Sequence, residues 1–189
     1  MNMSTLPMSS NADEPPDHAY ERVTNPERYQ VLHETASQQI DQLLARHALE
    51  RVDGIDLDRR ASRAWPESPA TMLVPLGGGA PITFTFTPFP GVMMMFGHDG
   101  HGSFPACGCD ACDDDPVVEA DRMTEVVADV VAGGFTETRH RHILRADVYE
   151  SLLRSVVGGT VCLKGPVDSD LDPLMPPGIT RWPPWTPAR

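Results

Sequence analysis

The sequence predicts an α+β fold in which an antiparallel sheet, a meander plus a C-terminal hairpin, packs with two main helices. Three observations carry this. Apolar residues recur at helical steps from Tyr29 to His47; Ile82, Phe84 and Phe86 alternate with Thr83, Thr85 and Thr87; and Asp115 with Pro116 opens a second stretch of helical period. Helices and antiparallel strands are segregated along the chain, and no internal repeat is visible.

Residues 1–19 are rich in Ser, Pro, Asn and Asp without period, and are expected to form a flexible tail because they bury too little to offset their ordering entropy. A single domain is expected over 20–165. It opens on "YERVTNPERY", where Asn25 and Pro26 fit the N-cap and first position of a helix and Thr24 with Glu27 offers a capping box. Tyr29, Leu32, His33, Ala36, Ile40, Leu43, Leu44 and His47 then give one apolar stripe. The stretch from Asp53 to Pro69 has turn formers and no period, and reads as irregular. "TMLVPL", "PITFTFT" and "GVMMMFG" read as three strands of a meander, separated by Gly-containing loops.

After the loop that follows, Ala120, Met123, Val127, Val130 and Val131 share a helical face, which Gly133 and Gly134 end. "FTETRHRHIL" and "YESLLRSVV" read as strands, and Val157 to Thr160 as a hairpin turn leading into "TVCLKG". Residues 166–189 are expected to be a Pro-rich tail of extended conformation, with Trp182 and Trp185 available to pin it.

A net charge of −12 with 15 Lys and Arg argues against nucleic-acid binding, which needs clustered cations on one face. No apolar run is long enough to span a membrane, and the N-terminus does not read as a secretory signal. A cytoplasmic location is expected, where clustered thiols are metal ligands or redox groups rather than disulfides.

The loop "FPACGCDACDDD" concentrates the chemistry. Cys107, Cys109 and Cys112 have the spacing C-x-C-x2-C, and Gly108 lets the backbone turn so that neighbours two apart can face one ion. A tetrahedral zinc site needs four N or S donors, with His101, His98 or Cys162 as the candidate fourth. The bland alternative is three small buried cysteines that bind nothing. A disulfide-forming thiol pair faces an acidic neighbourhood that raises thiol pKa, and an iron–sulfur cluster lacks a second cysteine run. Asp110, Asp113, Asp114 and Asp115 also suit the start of a helix.

His98 and His101 follow a strand and are candidates for metal or proton chemistry, against the commoner reading of an exposed polar loop. His33 and His47, on the helical stripe, are packing residues. Met93 to Met95 cannot converge on one ion in a strand, because successive side chains point to opposite faces. The Asp168, Asp170, Asp172 run lacks the glycine and glutamate of a calcium loop. No phosphate loop, G-x-S-x-G elbow or H-E-x-x-H helix is present.

"YERVTNPERY" with its helix, together with "FPACGCDACDDDP", resembles a family of uncharacterised actinobacterial proteins, a domain of unknown function, over roughly Tyr20 to Gly134. The resemblance implies no activity, ligand or catalytic residue. The sequence thus predicts a binding or assembly protein with a protein partner and a zinc-stabilised cysteine loop. Two other classes compete: a metal- or thiol-dependent enzyme centred on Cys107, Cys109 and Cys112 with His98 or His101, and an acidic, immunity-like protein that covers a basic partner.

Overall fold

A computed structural model of the chain describes residues 15–57, 63–140, 148–153, 162–166 and 177–189. Its first long element, α1 (Gln30–Arg46), buries Leu32, Ala36, Ile40 and Leu43, the face that the three- and four-residue steps select. His33 and His47 border that face. His33 Nε2 meets the Gly91 carbonyl at 2.9 Å, and the His47 ring stands edge-on to Trp185 with centroids 5.7 Å apart.

The entry to α1 departs from the expected cap. Asn25 adopts the left-handed conformation (φ 54°) without a side-chain cap, and Pro26 opens a 3-10 turn, Pro26–Tyr29, that runs into the helix. Thr24 does not cap because its N–H and its hydroxyl both donate to Asp110. Long-range bonds to the cysteine loop have replaced the local ones.

The first sheet has the order β1 (Leu49–Gly54), β2 (Ala70–Pro75), β3 (Ile82–Phe86), β4 (Val92–Phe96) and β5 (Gly100–Phe104), each antiparallel to the next. Strands β2 to β4 are the expected meander, while β1 and β5 are strands that the sequence reading does not contain: β1 lies between the helical stripe and the irregular stretch, which it overlaps only at Asp53 and Gly54, and β5 replaces the polar loop expected around His101. In β5, a Cβ on Gly100 would stand 2.5 Å from the Phe135 ring and 2.6 Å from the Phe96 ring, so glycine is what admits those aromatics. A strand built of Gly, His and Ser shows no apolar alternation. β1 is an edge whose Glu50, Arg51 and Asp53 are exposed.

Ile82, Phe84 and Met94 face the core at 0% exposure, and Met93 and Met95 lie on the opposite face as a period of two requires. The threonines are not solvated as expected: Thr85 is only 1% exposed. β3 is the central strand, and the register sets Thr83 between Met72 and Met95 and Thr85 between Ala70 and Met93. The methionines among these neighbours, Met72, Met93 and Met95, are long enough to cover the short hydroxyl side chains.

Helix α2 (Pro116–Val131) buries Ala120, Met123, Val126, Val127 and Val130, and ends where Gly133 takes φ +75°. The second sheet follows with the order β8–β7–β6–β9, made from β6 (Phe135–His140), β7 (Val148–Leu153), β8 (Cys162–Pro166) and β9 (Gly178–Arg181). The expected C-terminal hairpin is the β7–β8 pair, with Leu152 opposite Cys162. Its turn at Val157 to Thr160, the end of "FTETRHRHIL" from Arg141 on and the Asp168 to Asp172 run lie outside the described residues.

The C-terminal segment contributes β9 and two anchors. Trp185 is 4% exposed and its Nε1 donates to the Ala80 carbonyl at 3.0 Å, while Trp182 Nε1 donates to Glu137 at 2.6 Å. Glu137, fully buried on β6, also accepts the backbone N–H groups of His98 and Asp99. One core joins all layers, with Tyr29 and Leu32 ahead of and on α1, Phe84 and Met94 from the first sheet, Met123 from α2 and Phe135 from the second sheet. Among the described residues no helix is long and apolar enough to cross a membrane.

Candidate metal centre

The cysteine loop connects β5 to α2 and is fastened at both ends. A cis Phe104–Pro105 bond leads out of the strand, and the Ala106 N–H donates to buried Glu119 on α2 at 3.2 Å. At the far end the Asp115 carboxylate accepts the N–H groups of Val117 and Val118, which is the N-cap that the Asp-Pro pair predicts. Between them Gly108 lies against the Phe89 ring, where a Cβ would collide with the ring carbons. Glycine is therefore needed here for space, and not for the turn, since Gly108 is outside the left-handed region.

The N-terminal arm forms the outer wall. The Asp110 N–H donates to the Arg22 carbonyl at 2.8 Å and the Ala111 N–H to the Ala19 carbonyl at 3.2 Å. In return, Asp110 accepts the Thr24 N–H and the Arg22 guanidinium, both at 2.6 Å. These bonds, Thr24 first, hold the Asp110 carboxyl below the ordinary carboxylate range. Arg28 pairs with Asp113 at 2.6 Å, and the Tyr29 hydroxyl donates to the Asp114 carbonyl at 3.0 Å.

Within this frame the sulfurs of Cys107, Cys109 and Cys112 all lie within 4.8 Å of one another. Cys109 is buried, Cys107 half-buried and Cys112 exposed. The Cys107 thiol donates to the Cys109 sulfur at 3.2 Å. That bond, and the Cys112 N–H next, lower the Cys109 pKa against the opposing effect of burial. Cys112 is pushed up to about 12 by its contacts with Cys107 and then Cys109. The acidic loop thus does not raise all its thiols: Asp110 and Asp113 are paired with arginines, and the donors nearest Cys109 are a thiol and backbone N–H groups.

The histidines take other partners. His98 is tilted against Trp182 with ring centroids 5.0 Å apart, and His101 Nδ1 meets the Asp99 carbonyl at 3.1 Å. Neither belongs to the sulfur group. Cys162 is placed on β8 by its backbone pairing, and its side chain lies outside the described residues. What sequence reasoning missed is the supporting wall of Arg22, Thr24, Arg28 and Tyr29. The signal was two arginines six apart in a chain otherwise acidic, which the local capping pattern obscured.

A cysteine-lined loop clamped between an N-terminal arm and a helix can now be set beside known proteins. The sequence profile of the family of unknown function designated DUF6226 matches residues 6–189. The chain belongs to that family. The match reaches well beyond the Tyr20 to Gly134 stretch that carries the resemblance in sequence. Comparison with curated proteins and with solved structures found no match.

Proposed function

We propose that Cys107, Cys109 and Cys112 bind a soft divalent cation, with zinc as the natural occupant, and that the ion fixes the loop that joins the N-terminal arm to α2. The observation that carries this is the sulfur triangle itself. Zinc–thiolate bonds near 2.3 Å put tetrahedral sulfurs about 3.8 Å apart. The sulfurs here, one pair at 3.2 Å and all within 4.8 Å, bracket that spacing, so small rotations close them on an ion. The lowered Cys109 pKa eases loss of its proton to a cation, and the cation's charge would draw the proton from Cys112.

Around this site we read the protein as a cytoplasmic binding or assembly factor whose acidic surface, net −12, meets a protein partner. The thiol-enzyme reading draws on the lowered Cys109 pKa. Burial of that sulfur and the high pKa of Cys112, a poor leaving group in thiol exchange, weigh against it. Zinc content of untagged protein, measured together with alkylation of the loop thiols, separates the two. Stoichiometric metal with protected thiols supports the site, whereas metal-free protein with a rapidly alkylated Cys109 supports thiol chemistry.

A further inference from the structure

We infer that the groove between α1 and α2 binds a small amphipathic carboxylate, an alkyl chain whose carboxylate group is seated at Arg46. The site is separate from the cysteine loop and its test does not depend on a metal. The groove has a volume of about 550 Å3, within the range of roughly 300–1,000 Å3 that small-molecule sites occupy. Its two walls are fixed relative to each other. The Gln39 side chain donates to Thr124 Oγ1 at 2.6 Å and ties α1 to α2. Further along, the C-terminal segment fastens both helix ends: the Ala188 N–H donates to the Arg46 carbonyl at 2.8 Å and the Trp185 N–H to the Val131 carbonyl at 2.9 Å.

The lining divides by chemistry. Leu43 and Val127, both members of the core, form an aliphatic floor that Val131 continues. Space remains above it because α2 sets Ala128 and Ala132 one turn apart on this face, and neither side chain extends beyond its Cβ. Gln38 and Gln42 line the α1 side. Charge comes from Arg46, exposed in the last turn of α1, and His47 lines the same end. Among the described residues of the lining Arg46 is the one with a formal charge, and it is a cation in a chain of net charge −12. A guanidinium fork beside an aliphatic trough selects a carboxylate for the head and a hydrocarbon for the body, and it repels an alkylammonium. Helix C-termini disfavour anions, but the Arg46 and Val131 carbonyls are already bonded to N–H groups, so the carboxylate meets a cation there rather than bare carbonyls.

The test is calorimetric titration of the full-length, untagged protein with octanoate, and with octylammonium as the probe of opposite charge. Saturable binding of octanoate at one per chain is expected, with no binding of octylammonium at equal concentration. Arg46→Gln should weaken octanoate binding about tenfold, the worth of one charge-assisted hydrogen bond. Ala128→Leu, which puts a side chain into the groove, should abolish it. Both positions are exposed on helices, and circular dichroism checks that the variants keep the native fold. Absence of saturable octanoate binding overturns the inference, and so does octylammonium binding of equal strength. Octanoate binding that Arg46→Gln or Ala128→Leu leaves intact also overturns it, because the ligand then sits elsewhere. Light scattering identifies a macromolecular occupant: a dimer that Ala128→Leu dissociates, in protein that takes up no octanoate, assigns the groove to a second copy of the chain and overturns the carboxylate.

Discussion

The Cys107 thiol donates to the Cys109 sulfur across 3.2 Å, and this short contact orders the chemistry of the loop. It lowers the Cys109 pKa, whereas Cys112 is pushed up to about 12 by its contacts with Cys107 and then Cys109. Such a graded set does not hold three negative charges by itself, but it can do so around a dication.

Zinc should therefore stabilise the fold by mass action. At a free metal concentration one hundred times its Kd, the linkage is worth about 2.7 kcal/mol. For a chain of this size that is a rise in Tm of roughly 5–10 °C, reversed by chelator. Differential scanning fluorimetry with zinc and then EDTA measures it, and Cys109→Ser should show no zinc-dependent shift.

Metal binding should also release protons and weaken in acid. Cys112, pushed up to about 12, holds its proton at neutral pH when no metal is present, so the metal must displace it. Affinity is expected to rise with pH and to fall as pH drops, because protons compete for the same sulfurs. Calorimetric titration in buffers of different ionisation enthalpy counts the protons released; a count of zero would contradict this ordering of the thiols.

Asp110→Ala should free the N-terminal arm. The substitution removes the acceptor shared by Arg22 and Thr24, and limited proteolysis is expected to cut faster between Arg22 and Arg28 than in the native protein. The same anchorage has a pH dependence. The folded pKa of Asp110 lies below the unfolded value of about 3.9, so its contribution is complete above that value and is lost as pH falls through the folded pKa. Protection of the arm at pH 7 should equal that at pH 5.5, and decline only in stronger acid.

Gly108→Ala is predicted to cost about 1–3 kcal/mol, because its methyl group must displace the Phe89 ring. Urea unfolding gives the cost, and zinc affinity should fall in the same variant. By contrast, Val118→Ala, on the exposed face of α2, should change stability little.

Glu137 supplies a prediction away from the loop. Its buried carboxylate accepts Trp182 Nε1 and two backbone N–H groups, and Glu137→Ala would leave all three without that partner. A loss of at least about 1–3 kcal/mol is expected, the cost of leaving the buried Asp99 N–H unpaired, with a further part from the half-buried His98 and Trp182 donors. Urea unfolding followed by tryptophan fluorescence should show the loss together with a change in the native Trp182 signal.

Much of this architecture was legible in the residues. The α1 stripe, the existence of a strand from Ile82 to Phe86 and the Asp115–Pro116 cap each express a local rule, although the central place of that strand buries Thr83 and Thr85 with Ile82 and Phe84. Strand β5 was illegible because Gly100 admits Phe96 and Phe135 from elsewhere in the fold and so puts no apolar side chain of its own into the pattern. The Asn25 cap failed for a similar reason, since Asp110, far along the chain, takes the Thr24 donors. The sulfur triangle followed from cysteine spacing. Its wall of Arg22, Arg28 and Tyr29 depends on how the arm crosses the loop, which no local pattern records.

The central claim is that the loop holds a metal, and the most direct test is elemental analysis of untagged protein purified without chelator, with thiol titration on the same sample. About one zinc per chain, bound with Cys107, Cys109 and Cys112 protected until chelator is added, is the result expected from tetrahedral thiolate coordination. Protein free of metal after zinc has been supplied, with all three loop thiols titrating at once, would contradict it.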